Sequence, residues 1–421
     1  MKIATHTLGC KLNFAETSHL VRRFVQAGYD VVGFHETADI YVINTCTVTS
    51  VAEKKCRNAI RQAVRQNPSA MVAVIGCFAQ NAAAEVWNIP GVSLVLGNDR
   101  KHELFDIVDQ GTLARLPLPE EPKAFQLSYS HGDRTRIFFK IQDGCDYFCS
   151  YCAIPFARGR SRCASIADTV ATVREIAATG AKEVVLTGVN TGTFGLHTGE
   201  SFLDLLTELD NVEGIERYRI SSIEPNLLTD EMVMFVAHSR RFAHHFHIPL
   251  QAGSDKVLAL MRRRYDTAFY ANKLRLIKEC MPEACIAADL MVGFYGEGEA
   301  EFEDACNYVE SLPLSYLHVF TYSERPHTPA LRMEGKVPIA ERHRRSDRMH
   351  AISERKKKQF YADNEGRSSQ VLWESDVHEG MMYGFTDNYI RVRRPYEASL
   401  VNTLEPVVLR AFDSGDDVFD I

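Results

Sequence analysis

Residues 143–155 read DGCDYFCSYCAIP, with Cys145, Cys149 and Cys152 spaced C-x3-C-x2-C. The stretch directly follows an apolar run at 137–141, so the three thiols lie in a loop at the end of a predicted strand. Three thiolates hold three irons of a [4Fe–4S] cluster and leave the fourth iron open to an outside ligand. Thiolates also bind zinc, but a structural zinc site uses four protein ligands. Cys163, eleven residues beyond Cys152, is the nearest further candidate. Iron–sulfur and zinc both remain open on spacing alone.

Outward from this loop, strand-like runs recur at 183–186, 218–220, 245–248, 285–291 and 317–320. Each is followed by a loop and a helical stretch. About six β/α units predict a barrel or partial barrel, with its chemistry in the loops after the strands. Upstream, runs at 3–8, 40–44, 71–75 and 92–96 read as four strands, and 13–27 and 50–66 as helices. That alternation predicts a doubly wound α/β domain with a parallel sheet. Residues 111 to about 133, rich in proline around LPLPEEPKAF, read as a linker. After Glu365 the pattern turns to short strands and turns, as in a small all-β module. The predicted domains are 1–112, 131–362 and 366–421.

The 421 residues carry a net charge of −7, with 45% hydrophobic and 24% charged residues. This balance excludes disordered, collagenous and coiled-coil chains and any strongly basic protein. The least charged run, 66–84, is interrupted by Asn67, Pro68, Ser69, Gly76, Gln80 and Asn81, so it is not a membrane span. MKIATHTLGCKLN lacks the apolar region of a signal peptide, which predicts a cytoplasmic protein without membrane contact. Nothing demands an oligomer, so a monomer is expected. Eleven cysteines, an odd number, argue against a disulfide framework.

A second constellation is Cys10, Cys46 and Cys77, in TLGCKLN, INTCTV and VIGCFAQ. Each follows a predicted strand of the first domain. Strand ends of a doubly wound sheet converge on one edge, so the three can meet. The alternative is three buried free cysteines. Asn13 and Asn44 stand beside them, as pocket formers or as cap and turn residues. Cysteines 56, 163, 280, 285 and 306 show no ligand spacing and read as structural.

The cysteine loop, with Tyr151 before its last cysteine, resembles the signature of the radical S-adenosylmethionine (SAM) superfamily. The longer string CDYFCSYCAIPFARGRSR is similar to its methylthiotransferase branch, and the resemblance spans essentially the whole chain. It implies a central partial (β/α) barrel of radical SAM type. It also implies two [4Fe–4S] clusters, one on Cys145, Cys149 and Cys152 and an auxiliary one on Cys10, Cys46 and Cys77. One SAM then yields a 5′-deoxyadenosyl radical, sulfur comes from the auxiliary cluster, and a second SAM gives the methyl group. An electron donor such as flavodoxin or ferredoxin is implied.

Strand-end strings resembling those of the family offer SAM or substrate contacts: Tyr151; Thr187, Gly188 and Asn190 in LTGVNTG; Ser222 and Glu224 in SSIEP; Gln251 in HIPLQAGS; Asp289 and Gly293 in ADLMVGFYGE; Tyr322, Ser323 and Arg325 in FTYSERPHTPA. The chain departs from the family at Tyr295, Gly298 and His327, which puts local turn geometry in doubt. LGCKLNFAE resembles the threonylcarbamoyl-adenosine group, the MtaB type; the isopentenyl group tends to read GCQMN there. The resemblance thus implies methylthiolation of carbon 2 of N6-threonylcarbamoyladenosine beside the anticodon of tRNA. The alternatives are isopentenyladenosine in tRNA or an aspartate of a ribosomal protein.

The C-terminal module is similar to a TRAM domain, a small β-barrel that contacts RNA. It holds five Lys or Arg against ten acids over 366–421. Its basic side is Arg391, Arg393 and Arg394, with Tyr389 adjacent, suited to phosphate and to stacking in a tRNA anticodon loop. The acidic tail DSGDDVFDI is expected to point away from RNA. Two further basic runs, 342–358 with eight Lys or Arg and ArgArgArg at 262–264, read either as solvated faces or as parts of an RNA groove.

Overall fold

Strands apolar along their whole length need cover on both faces, and the N-terminal region supplies it. The computed structural model describes residues 1–111, 118–132 and 135–421. Its first part runs β1 (Lys2–Thr7), α1 (Lys11–Gln26), β2 (Asp30–Val32), β3 (Ile40–Thr45), α2 (Ser50–Gln66), β4 (Met71–Gly76), α3 (Cys77–Asn81), α4 (Ala83–Trp87), β5 (Leu94–Leu96) and α5 (Leu104–Asp109). The sheet order is β2-β1-β3-β4-β5, parallel throughout. Ile3, Ile40, Val42, Ala73 and Ile75 cluster with Leu20 and Phe24 of α1 on one face. Tyr41, Ile43, Val72 and Val74 cluster with Cys56 and Ile60 of α2 on the other. The reading of four strands is corrected to five: β2 is a three-residue edge strand, largely exposed, with no apolar alternation to betray it.

The predicted linker includes residues 112–117 and 133, which lie outside the described residues, as does the domain boundary at 112. Residues 118–127 have no regular structure but are held down. Gln80 donates to the Glu120 carbonyl at 2.8 Å and Arg162 to that of Ala124 at 2.8 Å.

The central part holds β6 (Ser128–Tyr129), β7 (Ile137–Lys140), β8 (Gln142–Asp143), α6 (Ile154–Arg158), β9 (Arg162–Cys163), α7 (Ile166–Ala178), β10 (Glu183–Thr187), α8 (Phe202–Asp210), β11 (Arg217–Ile220), α9 (Asp230–His238), β12 (His245–His247), α10 (Asp255–Leu260), α11 (Thr267–Cys280), β13 (Cys285–Val292), α12 (Glu299–Ser311), β14 (Tyr316–Thr321) and α13 (Ile339–Ala362). Strands β7, β10 and β11 pair in parallel, as do β12, β13 and β14. Parallel bridges Tyr218↔Phe242 and Ser222↔His247 join the two sets. The result is an open barrel. Alternation sorts its side chains: Phe139, Leu186, Ile220, Phe246 and Ile286 enter the core under the helices, while Phe138, Arg219, His247, Asp289 and His318 belong to the opposite, lumen-facing set.

The last part is a six-stranded sheet: β15 (Ser368–His378), β16 (Met381–Phe385), β17 (Arg391–Pro395), β18 (Leu404–Val408), β19 (Phe412–Asp413) and β20 (Val418–Asp420), in the order β18-β15-β16-β17-β20-β19. Trp373, Met382, Ile390, Val392 and Phe419 form its core. The tail therefore does not point away: β20 pairs with β17 and β19 with β20. This sheet closes the barrel at the N-terminal ends of its strands. Arg219 donates to the carbonyls of Asp387 (2.9 Å) and Thr386 (3.2 Å), and Arg217 to those of Phe385 (3.1 Å) and Gln370 (2.8 Å). Both arginines share the fully buried Glu183; burial alone would raise that carboxyl, but Arg219 and Arg217 hold it down at about 2.

Candidate active site

The loop of Cys145, Cys149 and Cys152 leaves β8 and enters α6, and its shape is fixed by backbone. The Cys145 N–H donates to the Gly159 carbonyl at 3.0 Å, and Cys152 N–H to that of Cys149 at 3.0 Å. Gly144 has φ +72°, and a Cβ there would overlap the Arg160 carbonyl, so only glycine serves. Ser150 anchors the middle through its hydroxyl to the Leu260 carbonyl at 2.7 Å. Burial pushes the Cys145 and Cys152 thiols up to about 12. Such thiols ionise when a metal takes the place of the proton.

A tetrahedral zinc with Zn–S of about 2.3 Å needs its sulfurs within about 3.8 Å of one another. Among the described residues no three His, Cys, Asp or Glu side chains converge to hold one metal ion. A multi-iron cluster spreads its thiolates over separate irons, so the donor set fits a cluster better than a zinc ion. Arg263 donates to Cys149 Sγ at 3.1 Å and to the Tyr151 hydroxyl at 3.4 Å, and is ion-paired with Glu224. Its side chain is 2% exposed.

The strand-end residues that face the barrel fall into three groups. Glu224 and Tyr151 meet through Arg263. Ser222 Oγ lies 2.7 Å from His247 Nδ1, and His247 Nε2 lies 2.9 Å from Asp289 Oδ1, a hydrogen-bonded row across β11, β12 and β13. Around Gly188, the Gln142 side chain accepts from the N–H groups of Val189 and Asn190, both at 2.9 Å, and donates to the Gly144 carbonyl at 2.8 Å. Gln142 thereby ties the cysteine loop to the next strand end. Thr187 spends its hydroxyl on the Val185 carbonyl. Asn190 is buried, with neither side-chain amide atom hydrogen-bonded among the described residues. A buried unsatisfied amide is costly and marks a place where a ligand's polar groups fit. Gln251, at φ +66°, holds strained backbone beside Asp289, donating its N–H to that residue's carbonyl at 2.8 Å.

Ser323 and Arg325 face the first domain instead: Ser323 accepts from the Ser50 N–H at 3.1 Å, and Arg325 is ion-paired with Glu53. Of the departures, Tyr295 packs buried on Tyr322, Gly298 caps α12, where its N–H donates to Glu301, and His327 turns the chain at φ +65°.

Cys10 caps α1, Cys46 follows β3 and Cys77 opens α3. Because β1, β3 and β4 are neighbours, the three thiols come within electrostatic reach of one another. Burial raises Cys46 to about 12, with Cys77 and Cys10 adding to it. A Cβ on Gly9 would meet the Cβ of Cys46 at 2.8 Å, so glycine permits this approach. Asn13 donates to the Leu8 carbonyl (2.8 Å) and Asn44 to that of Asn13 (3.0 Å), which braces the loops that carry these cysteines. Cys56 receives the Cys46 N–H on its sulfur at 3.4 Å, a supporting position.

The two cysteine sets are neighbours. Helix α3, begun by Cys77, packs on α6, which follows Cys152. Asn98 donates to Cys77 Sγ at 3.4 Å and to the Ala157 carbonyl at 2.8 Å. Arg158, 1% exposed, reaches from α6 to Asn13 at 2.5 Å, to Asp143 at 2.8 Å and to Glu16 at 3.3 Å. Arg158, Gln142, His247 and Asn98 are absent from the site residues read in the sequence, and Arg263 stands there only within the basic run 262–264. Only ArgArgArg carried a signal, and charge alone misdirected it.

Most of the basic side chains carry partners. Arg263 is inside the site, and Arg264 lies on the Tyr147 ring at 3.9 Å. On α13, Arg342 pairs with Glu324, Arg345 with Glu297, Arg344 with Glu299 and Arg355 with Glu310. Arg393 is held by Asp413, Asp416 and Asp420, and Arg394 by Glu405. Arg391 lies on the Tyr383 ring at 3.9 Å with no carboxylate partner among the described residues. Tyr389 is not free for stacking: its ring packs on Phe385 and His245, with Arg219 over it at 4.7 Å. Burial alone would raise its hydroxyl, yet Arg136, Lys11 and Arg219 pull it below the usual value. Among the described residues no helix is long and apolar enough to cross a membrane.

Residues 2–97 match the model of the uncharacterized protein family UPF0004, and residues 139–309 that of the radical SAM superfamily. The chain is 40% identical over 403 residues to the threonylcarbamoyladenosine tRNA methylthiotransferase MtaB of Bacillus subtilis, covering 93% of this chain and 89% of that protein. It is 30% identical over 428 residues to the tRNA-2-methylthio-N(6)-dimethylallyladenosine synthase of Desulfitobacterium hafniense, covering 98% and 96%. Among solved structures, the radical SAM methyltransferase TsrM from Kitasatospora setae superposes with a TM-score of 0.59 at 17% identity, covering 78% of this chain and 74% of that one. At that identity the likeness is one of fold.

Proposed function

The chain belongs to the radical SAM methylthiotransferase family, and on that premise we propose that it attaches sulfur and a methyl group to carbon 2 of N6-threonylcarbamoyladenosine beside the anticodon of tRNA. The observation that carries the reading is the adjacency of two cysteine triads, joined through Arg158 and Asn98, at the mouth of one open barrel. Radical SAM enzymes bind SAM and a [4Fe–4S] cluster. We assign that cluster to Cys145, Cys149 and Cys152, and a second one to Cys10, Cys46 and Cys77. When bound, the first supplies the electron that cleaves SAM and the second the sulfur, with a second SAM as methyl source.

The protein's share is positioning and the exclusion of side reactions. Arg263 directs an N–H at Cys149 Sγ, which lowers the charge on that thiolate, and Glu224 holds Arg263 in place. Asn190, Gly188 and Thr187 at one strand end, Ser222 and Asp289 across His247, and Tyr151, Glu224 and Gln251 are our SAM and substrate contacts. For tRNA we retain Arg391, Arg393 and Arg394. Arg391 offers its charge directly, while Arg393 and Arg394 exchange carboxylates for phosphate. We keep the domain limits 1–112, 131–362 and 366–421, a monomer, a flavodoxin- or ferredoxin-like electron donor and a cytoplasmic site of action.

The test is mass spectrometry of tRNA nucleosides from cells lacking their own methylthiotransferases and expressing this protein. A methylthio group on threonylcarbamoyladenosine is expected. Its appearance on isopentenyladenosine, or on no nucleoside, overturns the substrate. Cys46→Ala is expected to keep SAM cleavage within about twofold while the methylthio product falls at least about 100-fold. Retained product would remove the N-terminal triad from the mechanism.

A further inference from the structure

Lys11 directly follows Cys10, and its side chain keeps accessible surface within a part of the barrel lumen that protein largely encloses. Its ammonium lies 5.9 Å from the centre of the Phe138 ring, on the lumen face of β7. Arg136, Arg219, Tyr389 and Glu183 are within its electrostatic reach, as are His245 and His318. The charged groups around it are matched. Arg136 is paired with Glu374 at 2.8 Å, Arg219 with Glu183 at 3.0 Å, and Asp289 with His247 at 2.9 Å. Lys11 has no hydrogen bond and no carboxylate partner among the described residues.

A solvated lysine on an outer helix face needs no explanation. Lys11 instead stands among cations, over the lumen, one residue from a cysteine of the sulfur-donating triad. The neighbouring arginines are already held by Glu374 and Glu183, so an anion entering this part of the lumen meets Lys11 as a cation without a carboxylate partner among the described residues. We infer that Lys11 is the specificity-determining residue that pairs with a carboxylate on the N6 substituent of the substrate nucleoside. This rests on the reading above. The threonyl part of N6-threonylcarbamoyladenosine carries a carboxylate, and an isopentenyl or dimethylallyl group carries none. In adenine, carbon 2 and the N6-bearing carbon both flank N1. A base that presents carbon 2 to the triad therefore projects its N6 substituent past N1, and Lys11, next in the chain to Cys10 and over Phe138 in the lumen, is a cation such a substituent can meet. An anion leaving water for such a site gains most from a single unpartnered ammonium, and a neutral substituent gains nothing from it. Lys11 thus favours the acid and leaves an uncompensated charge against a neutral side chain.

The experiment compares reconstituted wild-type, K11Q, K11M and K11R enzymes. Two anticodon stem-loop RNAs serve as substrates, one with threonylcarbamoyladenosine and one with the methyl ester of its carboxylate. Kinetics and RNA affinity by fluorescence anisotropy are both read, with iron and sulfide content as the check that Cys10 still holds its cluster. The wild type is expected to prefer the acid about 30-fold in kcat/KM, roughly 2 kcal/mol at 1.4 kcal/mol per tenfold. K11Q and K11M are expected to bring that ratio near one, through KM and affinity with kcat little changed, and K11R to restore most of it. An unchanged ratio in K11Q and K11M overturns the inference while the substrate reading stands. An equal loss on both RNAs also overturns it, because it assigns Lys11 to backbone phosphate. A wild type inert on the acid-bearing RNA overturns the substrate reading, and the inference with it.

Discussion

Cys145→Ala abolishes SAM cleavage, and with it every later step. Cys145 is the first of three thiols in one short loop, and nothing nearby replaces it: the Cys163 sulfur is engaged elsewhere, accepting the Gly195 N–H at 3.2 Å from a segment 32 residues on. The loop is braced by backbone and by Ser150, not by the Cys145 side chain, so the variant keeps its fold. With two thiolates left, the cluster is lost or misplaced, and SAM has no electron source. The expected fall in 5′-deoxyadenosine formation exceeds about 1000-fold, above roughly 4 kcal/mol of transition-state stabilisation. Chromatographic assay of 5′-deoxyadenosine after anaerobic reduction measures it, and iron content should drop to about half. Wild-type deoxyadenosine from this variant would refute the assignment of the cluster to this loop. Set beside Cys46→Ala, which keeps cleavage, the pair separates radical formation from sulfur transfer.

The second large effect is structural. Arg158→Met removes the cation that joins the N-terminal sheet to the barrel. In the native protein it is 1% exposed and touches Asp143, Glu16 and Asn13. Lys101 and Lys140 complete the charge around Glu16, Lys140 at 2.8 Å. Truncating one member of a buried ion network typically costs about 3–5 kcal/mol, because carboxylates stay buried without their partner. The first thermal transition is expected to drop on the order of 10 °C.

A pH series identifies the cause. Burial alone would raise Glu16, but Arg158, Lys101 and Lys140 hold it well below the usual carboxylate range. A depressed folded pKa contributes stability that is complete above the unfolded value, about 4, and is lost as pH falls through the folded value. Without Arg158 the folded value climbs back toward the unfolded one. The deficit of the variant is therefore full at pH 7 and narrows below about pH 4. A deficit that stays constant with pH would mean that Arg158 acts by packing rather than by charge.

Helix α2 shows how far local chemistry reaches. Its limits, 50–66, are legible because Thr49 accepts the Ala52 N–H at 3.1 Å and an apolar stripe follows. The six barrel strands are legible as short runs with recurrent apolar residues between turn residues, although β11 and β12 also carry Arg or His and β14 is partly exposed. Strand β2 is not, being short and exposed, and the terminal strands β19 and β20 are hidden by their acids. Those acids pair because Arg393 lies opposite them, 20 or more residues away in the chain.

The sequence by itself determined which cysteines stand at strand ends and the order of units. C-x3-C-x2-C is a spacing within one loop, and Cys10, Cys46 and Cys77 each close an apolar run, so chain geometry alone brings them to strand ends. Only the tertiary structure decided which charges matter. Arg263 and Arg158 are indistinguishable in sequence from the surface arginines around them. Their roles come from Glu224, 39 positions from Arg263, and from Glu16, 142 positions from Arg158. Lys11 is singled out by the converse, the absence of any such partner among the described residues. The physical reason is that apolar periodicity and ligand spacing are local properties, set by the geometry of helix, strand and turn. An ion pair's value depends on distance and burial, which exist only once remote segments have packed.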